Sequence, residues 1–160
     1  RTALNTPGAT LFFEDRMIRD DLIHEEDKIL IGKIDIGMAS FFADPCPRIT
    51  IVAYGIAHQI VDTALGIPEK ADVIDLRTLY PIDWDTIMGS VECSGKLLIV
   101  EPDVTYAGIG AEIAAHVAEA DPGIKIKRLG APRDIISASQ GLHGRMLPTR
   151  EAILDAINSF

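Results

Sequence analysis

Cysteine is scarce in this chain. Its two cysteines among 160 residues, Cys46 and Cys93, stand far apart in unrelated contexts. Neither a disulfide framework nor a thiolate zinc site has support, and a reducing compartment is expected. Positive charge is also in deficit: 15 Lys and Arg face 24 Asp and Glu, for a net charge of -9. That balance argues against nucleic acid and suits a chain that docks a basic partner. No apolar run reaches the roughly 18 residues of a membrane span, and the start at Arg1 lacks the apolar stretch of a signal peptide. Phosphate-loop and nucleophile-elbow runs of the Gly-x-x-x-x-Gly-Lys-Ser/Thr and Gly-x-Ser-x-Gly kinds are missing. His24, His58, His116 and His143 show no ligand spacing, which leaves no metal site to expect. Repeats and low-complexity tracts are absent as well.

What is present is regular. A 48% hydrophobic content in 160 residues suffices for one core plus an arm. Residues 9–13 read as a short apolar strand with nothing near to pair with, as if closing another unit. Residues 16–28, dense in charge with Asp20, Asp21, Glu25, Glu26 and Asp27, read as an exposed connection. The expected division is therefore 1–28, a remnant and linker, and 29–160, the main domain. Residues 29–37 alternate as an edge strand, and the prolines at 45 and 47 mark a turn.

From Arg48 onward strands and helices alternate. Residues 49–54, 72–76 and 96–101 are short apolar runs of the kind a doubly covered strand requires, and 124–129 alternate as a strand toward an edge. Between them Ala57, Ile60, Val61, Ala64 and Leu65 recur at helical spacing before Gly66 and Pro68. Trp84, Ile87, Met88 and Val91 follow Asp83 as N-cap, and Ile113, Ala114, Val117 and Ala118 stripe a third helix. Residues 133–146 are irregular, and Thr149 caps a last helix with Ile153, Leu154 and Ile157 inward. The pattern predicts a three-layer α/β/α fold on a mostly parallel five-stranded sheet, one edge strand antiparallel.

Polar groups at the strand ends are the candidates for function, because α/β domains bind there. Asp75, Arg77 and Asp83 form a charged group, read chiefly as an ion pair orienting the turn into the Trp84 helix. Glu101 closes an apolar strand, where it meets a partner subunit or caps the loop to Tyr106. Gly108-Ile-Gly110 suggests a phosphate loop, but position 113 is Ile where a third glycine would fall, so close helix packing is favoured. His143, between Gly141 and Gly144, is the loop histidine best placed for recognition. The candidate interface residues are thus Arg77, Asp83, Glu101, Tyr106 and His143.

Four segments in order, Val73-Ile-Asp-Leu-Arg-Thr-Leu-Tyr-Pro-Ile-Asp83, Thr86-Ile-Met-Gly-Ser-Val91, Ser94-Gly-Lys-Leu-Leu-Ile-Val-Glu101 and Gly108-Ile-Gly-Ala-Glu-Ile113, carry a resemblance. They resemble the C-terminal domain of transketolase-like thiamine diphosphate enzymes, nearest the beta subunit of the decarboxylating component of 2-oxo-acid dehydrogenases, pyruvate or branched-chain type. The resemblance spans residues 49–160 and departs from the family pattern at 38–47, 56–65 and 135–145. It implies a parent reaction of oxidative decarboxylation of a 2-oxo acid with acyl transfer to lipoyl. It also implies thiamine diphosphate and magnesium in the parent enzyme, with none expected on this chain alone and no catalytic residue carried over. The implied partners are an alpha subunit, a second beta subunit and the basic subunit-binding domain of the acyltransferase. The compartment implied is cytoplasmic, or the mitochondrial matrix in a eukaryote. A start at Arg1 suggests that further chain precedes it in the parent. Transketolase, deoxyxylulose-phosphate synthase and a non-catalytic assembly module are the alternatives.

Overall fold

The computed structural model describes residues 2–13, 35–65, 70–134 and 147–160. Five strands form one sheet: β1 (Ser40–Phe42), β2 (Ile49–Ala53), β3 (Ala71–Asp75), β4 (Lys96–Val104) and β5 (Lys125–Ala131), in the order β1-β3-β2-β4-β5. The four longer strands run parallel, and β1 pairs antiparallel with β3 through Ser40 opposite Asp75 and Phe42 opposite Val73. The helices are α1 (Thr2–Asn5), α2 (Ile56–Leu65), α3 (Trp84–Ser94), α4 (Ile109–Ala120) and α5 (Arg150–Asn158). The architecture expected from the alternation of apolar runs is the one found.

Parallel strands need crossovers, and crossovers cover both faces of the sheet. On one face Ile51, Ala53, Val73, Leu98 and Val100 pack against Ala57 and Val61 of α2 and Ile153 of α5. On the other, Val52, Ile74, Leu97 and Ile99 meet Ile87 and Val91 of α3 and Ile113 and Val117 of α4. The central strand β2 is therefore buried at all five positions, which is why its sequence is an unbroken apolar and β-branched run around one Thr.

That Thr belongs to a buried polar chain. The Thr50 hydroxyl lies 2.6 Å from the Ser90 hydroxyl and 2.8 Å from that of Ser94. Ser90 in turn donates to Asp72 Oδ2 at 2.6 Å, and Asp72 Oδ1 accepts the Asp44 N–H at 2.8 Å. Each polar atom offsets the desolvation of its neighbour, and together they fix α3 against β2 and β3.

Asp83 caps α3 as expected and does more. Its carboxylate accepts the Thr86 N–H at 3.1 Å, the Thr86 hydroxyl at 2.9 Å and the Ala39 N–H at 2.9 Å. The helix start is thereby tied to the strap leading into β1. At the far end Gly95 takes φ +67 and returns its N–H to Val91 O, a left-handed C-cap open to glycine without strain.

Three expectations need correction. Residues 9–13 form no strand: Leu11, Phe12 and Phe13 are each more than 80% exposed, and among the described residues no strand lies beside them to share a hydrogen-bond ladder. An antiparallel edge strand forms at Ser40–Phe42; of the 29–37 stretch, 35–37 are not strand and 29–34 lie outside the described residues. Asp35 to Met38 makes a turn closed by the Met38 N–H on Asp35 O at 3.3 Å. Finally, β4 runs three residues past Glu101, because β5 continues beside it to the pairing of Val104 with Ala131. The stop at Gly66 and Pro68, the division near residue 28 and the stretch 135–145 lie outside the described residues.

Asp83→Ala should lower stability by about 1–2 kcal/mol, the usual loss for an N-cap, in urea unfolding at neutral pH. Burial pushes the Asp83 carboxyl up, but the bonds from Ala39 and Thr86 together hold it below the usual carboxylate range. A carboxyl held low stabilises the fold above its unfolded value near pH 4 and loses that contribution as pH falls further. The gap between native and variant chains should accordingly narrow in acid.

Candidate functional site

Neighbouring strands β2 and β4 send their connections to opposite faces, β2 into α2 and β4 into α4. In an open parallel sheet this reversal opens a crevice beyond the carboxyl ends of the strands. Tyr54 follows β2 there, Glu101 sits in β4, and Arg128 comes from β5. Alternation along each strand puts all three on the face covered by α3 and α4, the face that also holds Val52, Ile99 and Ile126.

Glu101 is fully buried. Its Oε2 accepts the Gly110 N–H at 2.9 Å, one of the donors that the first turn of α4 leaves without an internal partner. The positive end of the helix therefore meets a carboxylate from within the chain. The surrounding glycines make room for it. A Cβ at Gly110 would stand 2.7 Å from both carboxylate oxygens, and one at Gly108 2.9 Å from Oε2. A Cβ at Gly130 would stand 2.9 Å from Glu101 Cγ. Close packing, the favoured reading of Gly108-Ile-Gly110, is thus correct, and what packs closely is Glu101.

The electrostatics follow. Burial raises the Glu101 carboxyl, and the Asp103 charge adds to this, against the Gly110 N–H, the Arg128 guanidinium and the Tyr54 hydroxyl, which favour the charged form. Burial, then the charges of Glu101 and Asp103, drive the Tyr54 phenol far above its ordinary value, so it stays protonated and donates to Glu101. Glu101 Oε1 and Arg128 Nη1 remain buried without a hydrogen-bond partner.

The other candidates do not gather here. Arg77 Nε stands 4.0 Å from Asp75 Oδ2, a loose pair at the end of β3. Burial raises the Asp75 carboxyl; His58 and Arg77 pull it down and Asp62 pushes it further up. Asp83 is engaged as a cap and leaves that group. Tyr106, 63% exposed, lies under the Arg133 guanidinium at 4.2 Å from its ring centroid, a cation–π contact. His143 lies outside the described residues. The sequence reading missed Tyr54, Arg128 and Gly130; a Tyr closing an apolar strand and an Arg inside an alternating one were the available signals.

Residues 43–153 match the family model for the transketolase C-terminal domain. The chain belongs to the transketolase C-terminal domain family. Among curated proteins, it is 36% identical over 132 residues to the pyruvate dehydrogenase E1 component subunit beta of Staphylococcus epidermidis, covering 80% of this chain and 38% of that one. It is 31% identical over 143 residues to the 2-oxoisovalerate dehydrogenase subunit beta of Bacillus subtilis, covering 82% and 42%. A Caenorhabditis elegans relative, named as mitochondrial pyruvate dehydrogenase E1 component subunit beta, is 28% identical over 98% of this chain and 47% of its own. The chain thus spans less than half the length of these relatives. A solved split-gene transketolase, an inactive beta4 tetramer, superposes with TM-score 0.66 at 24% identity over 79% of this chain and 43% of its own, which supports the fold.

Transketolase-like enzymes use thiamine diphosphate with magnesium, and the described residues of this transketolase C-terminal domain do not fit that group. The helix terminus suited to a diphosphate is filled by Glu101. Among the described residues no cluster of three or more His, Cys, Asp or Glu could hold a metal. No described helix is long and apolar enough to cross a membrane.

Since the folded state raises the Glu101 carboxyl, its contribution is complete below the unfolded value near pH 4.3 and is lost as pH rises through the folded one. Glu101→Gln keeps the acceptor for Gly110 and removes the titration. Stability of the native chain minus that of Glu101→Gln should therefore fall as pH rises above about 4.3 in parallel urea titrations. Asp75 titrates in both chains and cancels in that difference. A separate check is Gly110→Ala, which puts a Cβ into the carboxylate and should lower stability by about 2 kcal/mol or more in the same assay.

Proposed function

We propose that this domain is the C-terminal assembly lobe of a 2-oxo-acid dehydrogenase beta subunit. The observation that carries this reading is similarity to beta subunits of pyruvate and 2-oxoisovalerate dehydrogenases, at 28–36% identity over 80–98% of the chain. The parent reaction is oxidative decarboxylation of a 2-oxo acid with transfer of the acyl group to lipoyl. The reacting centre then lies on chain other than this domain, whose strand-end crevice is filled by its own side chains. Thiamine diphosphate and magnesium belong to the assembled parent, and this domain alone binds neither.

An assembly role needs surface to bury, and apolar surface is available. Phe41 and Phe42 on the edge strand, Met38 beside them and Tyr80 are 45–94% exposed, more than isolated surface residues require. The partners in this reading are an alpha subunit and a second beta subunit. The acidic balance of -9 suits the basic subunit-binding domain of an acyltransferase as a further one. Arg77, Tyr106 and Arg133 are exposed or half-buried groups among the described residues that would meet such partners, and His143, which lies outside the described residues, is proposed as a further one. The division between remnant and domain near residue 28 and a cytoplasmic or mitochondrial-matrix setting belong to the same proposal.

The expected outcome by calorimetry is no binding of thiamine diphosphate to the isolated 160-residue chain, and micromolar affinity would overturn the assembly reading. With the complete parent and its alpha partner, turnover should appear with 2-oxo acids. Turnover with sugar phosphates alone would reassign the chain to transketolase or deoxyxylulose-phosphate synthase.

A further inference from the structure

The crevice between β2 and β4 holds more recognition chemistry than one side chain uses. The first turn of α4 supplies the Gly110 N–H to Glu101 Oε2 at 2.9 Å. Gly108 and Gly110 hold the space that Cβ atoms would take from those oxygens. Yet Glu101, wholly buried, leaves Oε1 unpaired, and Arg128 leaves Nη1 buried and unpaired. A buried polar atom without a partner is destabilising, so these two, on side chains from the same face of neighbouring strands β4 and β5, mark an anion site that its occupant satisfies incompletely. As placed, the Glu101 carboxylate meets the Gly110 donor and leaves the Arg128 Nη1 donor unmet.

We propose that the N-terminus of α4 and Arg128 form a carboxylate-recognition site that Glu101 occupies as a tethered ligand, barring free anions from the switch-point crevice. A short carboxylate released from the backbone would take the Gly110 N–H with one oxygen and a charge-assisted hydrogen bond from Arg128 with the other. Anion exclusion here is thus a property of one side chain, and the crevice keeps its capacity to bind when that side chain is shortened. This inference does not depend on the assembly reading.

The test is chemical rescue of the full 160-residue chain with formate, the smallest carboxylate. Glu101→Ala should melt about 4 °C higher in about 200 mM sodium formate than in sodium chloride of equal ionic strength, as mass action predicts for a site with a dissociation constant of roughly 20–30 mM. The native chain should melt within about 1 °C in the two salts, and so should Glu101→Gln, whose side chain still fills the crevice. Adding Arg128→Leu to Glu101→Ala should abolish most of the formate gain. Equal melting of Glu101→Ala in the two salts would overturn the proposal, as would a formate gain of the same size in the native chain. If Glu101→Ala does not fold in chloride, recovery of its helical circular dichroism in formate supports the site. Failure to recover in either salt overturns it.

Discussion

Everything in this fold follows from a sheet that must be covered on both faces. Parallel strands cannot be joined by tight hairpins, so each crossover lays a helix on one face or the other. β2, at the centre, then has no polar side to offer. All five of its positions are buried, and at roughly 1.5–3 kcal/mol per large apolar side chain such strands supply the main drive for folding. The helices need only one apolar stripe each, which leaves their outer faces for the charge that makes the chain acidic.

Double coverage sets a harsh rule for polar groups that fall inside. Thr50, Asp72, Ser90 and Ser94 answer it by bonding to one another across β2, β3 and α3. Glu101 answers it less completely. Removing a carboxylate from water costs several kcal/mol. A charge-assisted hydrogen bond returns about 1.5–3 kcal/mol, and a helix N-terminus up to about 2. One N–H from Gly110, a phenol from Tyr54 and a guanidinium at a distance come close to that cost without meeting it, which is why the carboxyl holds its proton more tightly than a solvated one. Asp83 shows the opposite balance: partly solvated and with three hydrogen bonds, it holds its proton less tightly.

Legibility in the sequence tracks this physics. Strands covered on both faces announce themselves as apolar runs, and helices with one buried stripe as 3.6-residue periodicity. Both depend on neighbours within a few residues, so the four parallel strands and the caps at Asp83 and Thr149 could be read from the chain. The edge strand could not be placed. Ser40–Phe42 is short, exposes both its aromatics, and is a strand only because β3 lies beside it. Residues 9–13 have strand-like composition but no partner among the described residues, and composition alone does not make a ladder. The Glu101 site shows the same limit at the level of function. Gly108 and Gly110 suggested close approach, but that the approaching group is a carboxylate nine residues earlier in the chain is a fact of register between β4 and α4. Nothing local in Tyr54 or Arg128 signals that they meet it.

A shared fold does not fix a shared activity, and here the fold's customary binding place is a poor guide to function. Open parallel sheets usually offer their switch point to a ligand, and the helix terminus there is usually what receives it. In this chain that terminus faces inward to Glu101, which fills the place a ligand would take. In the assembly reading proposed above, recognition by the described residues rests on outer features: the aromatic edge at Phe41, Phe42 and Tyr80, the Arg133–Tyr106 pair, and the acidic balance of the whole. Surfaces of that kind bury area and steer partners; they do not position a reacting atom within an ångström. A domain whose polar interior is spent on its own cohesion, and whose exposed groups suit contact more than chemistry, fits a lobe that holds a larger enzyme together.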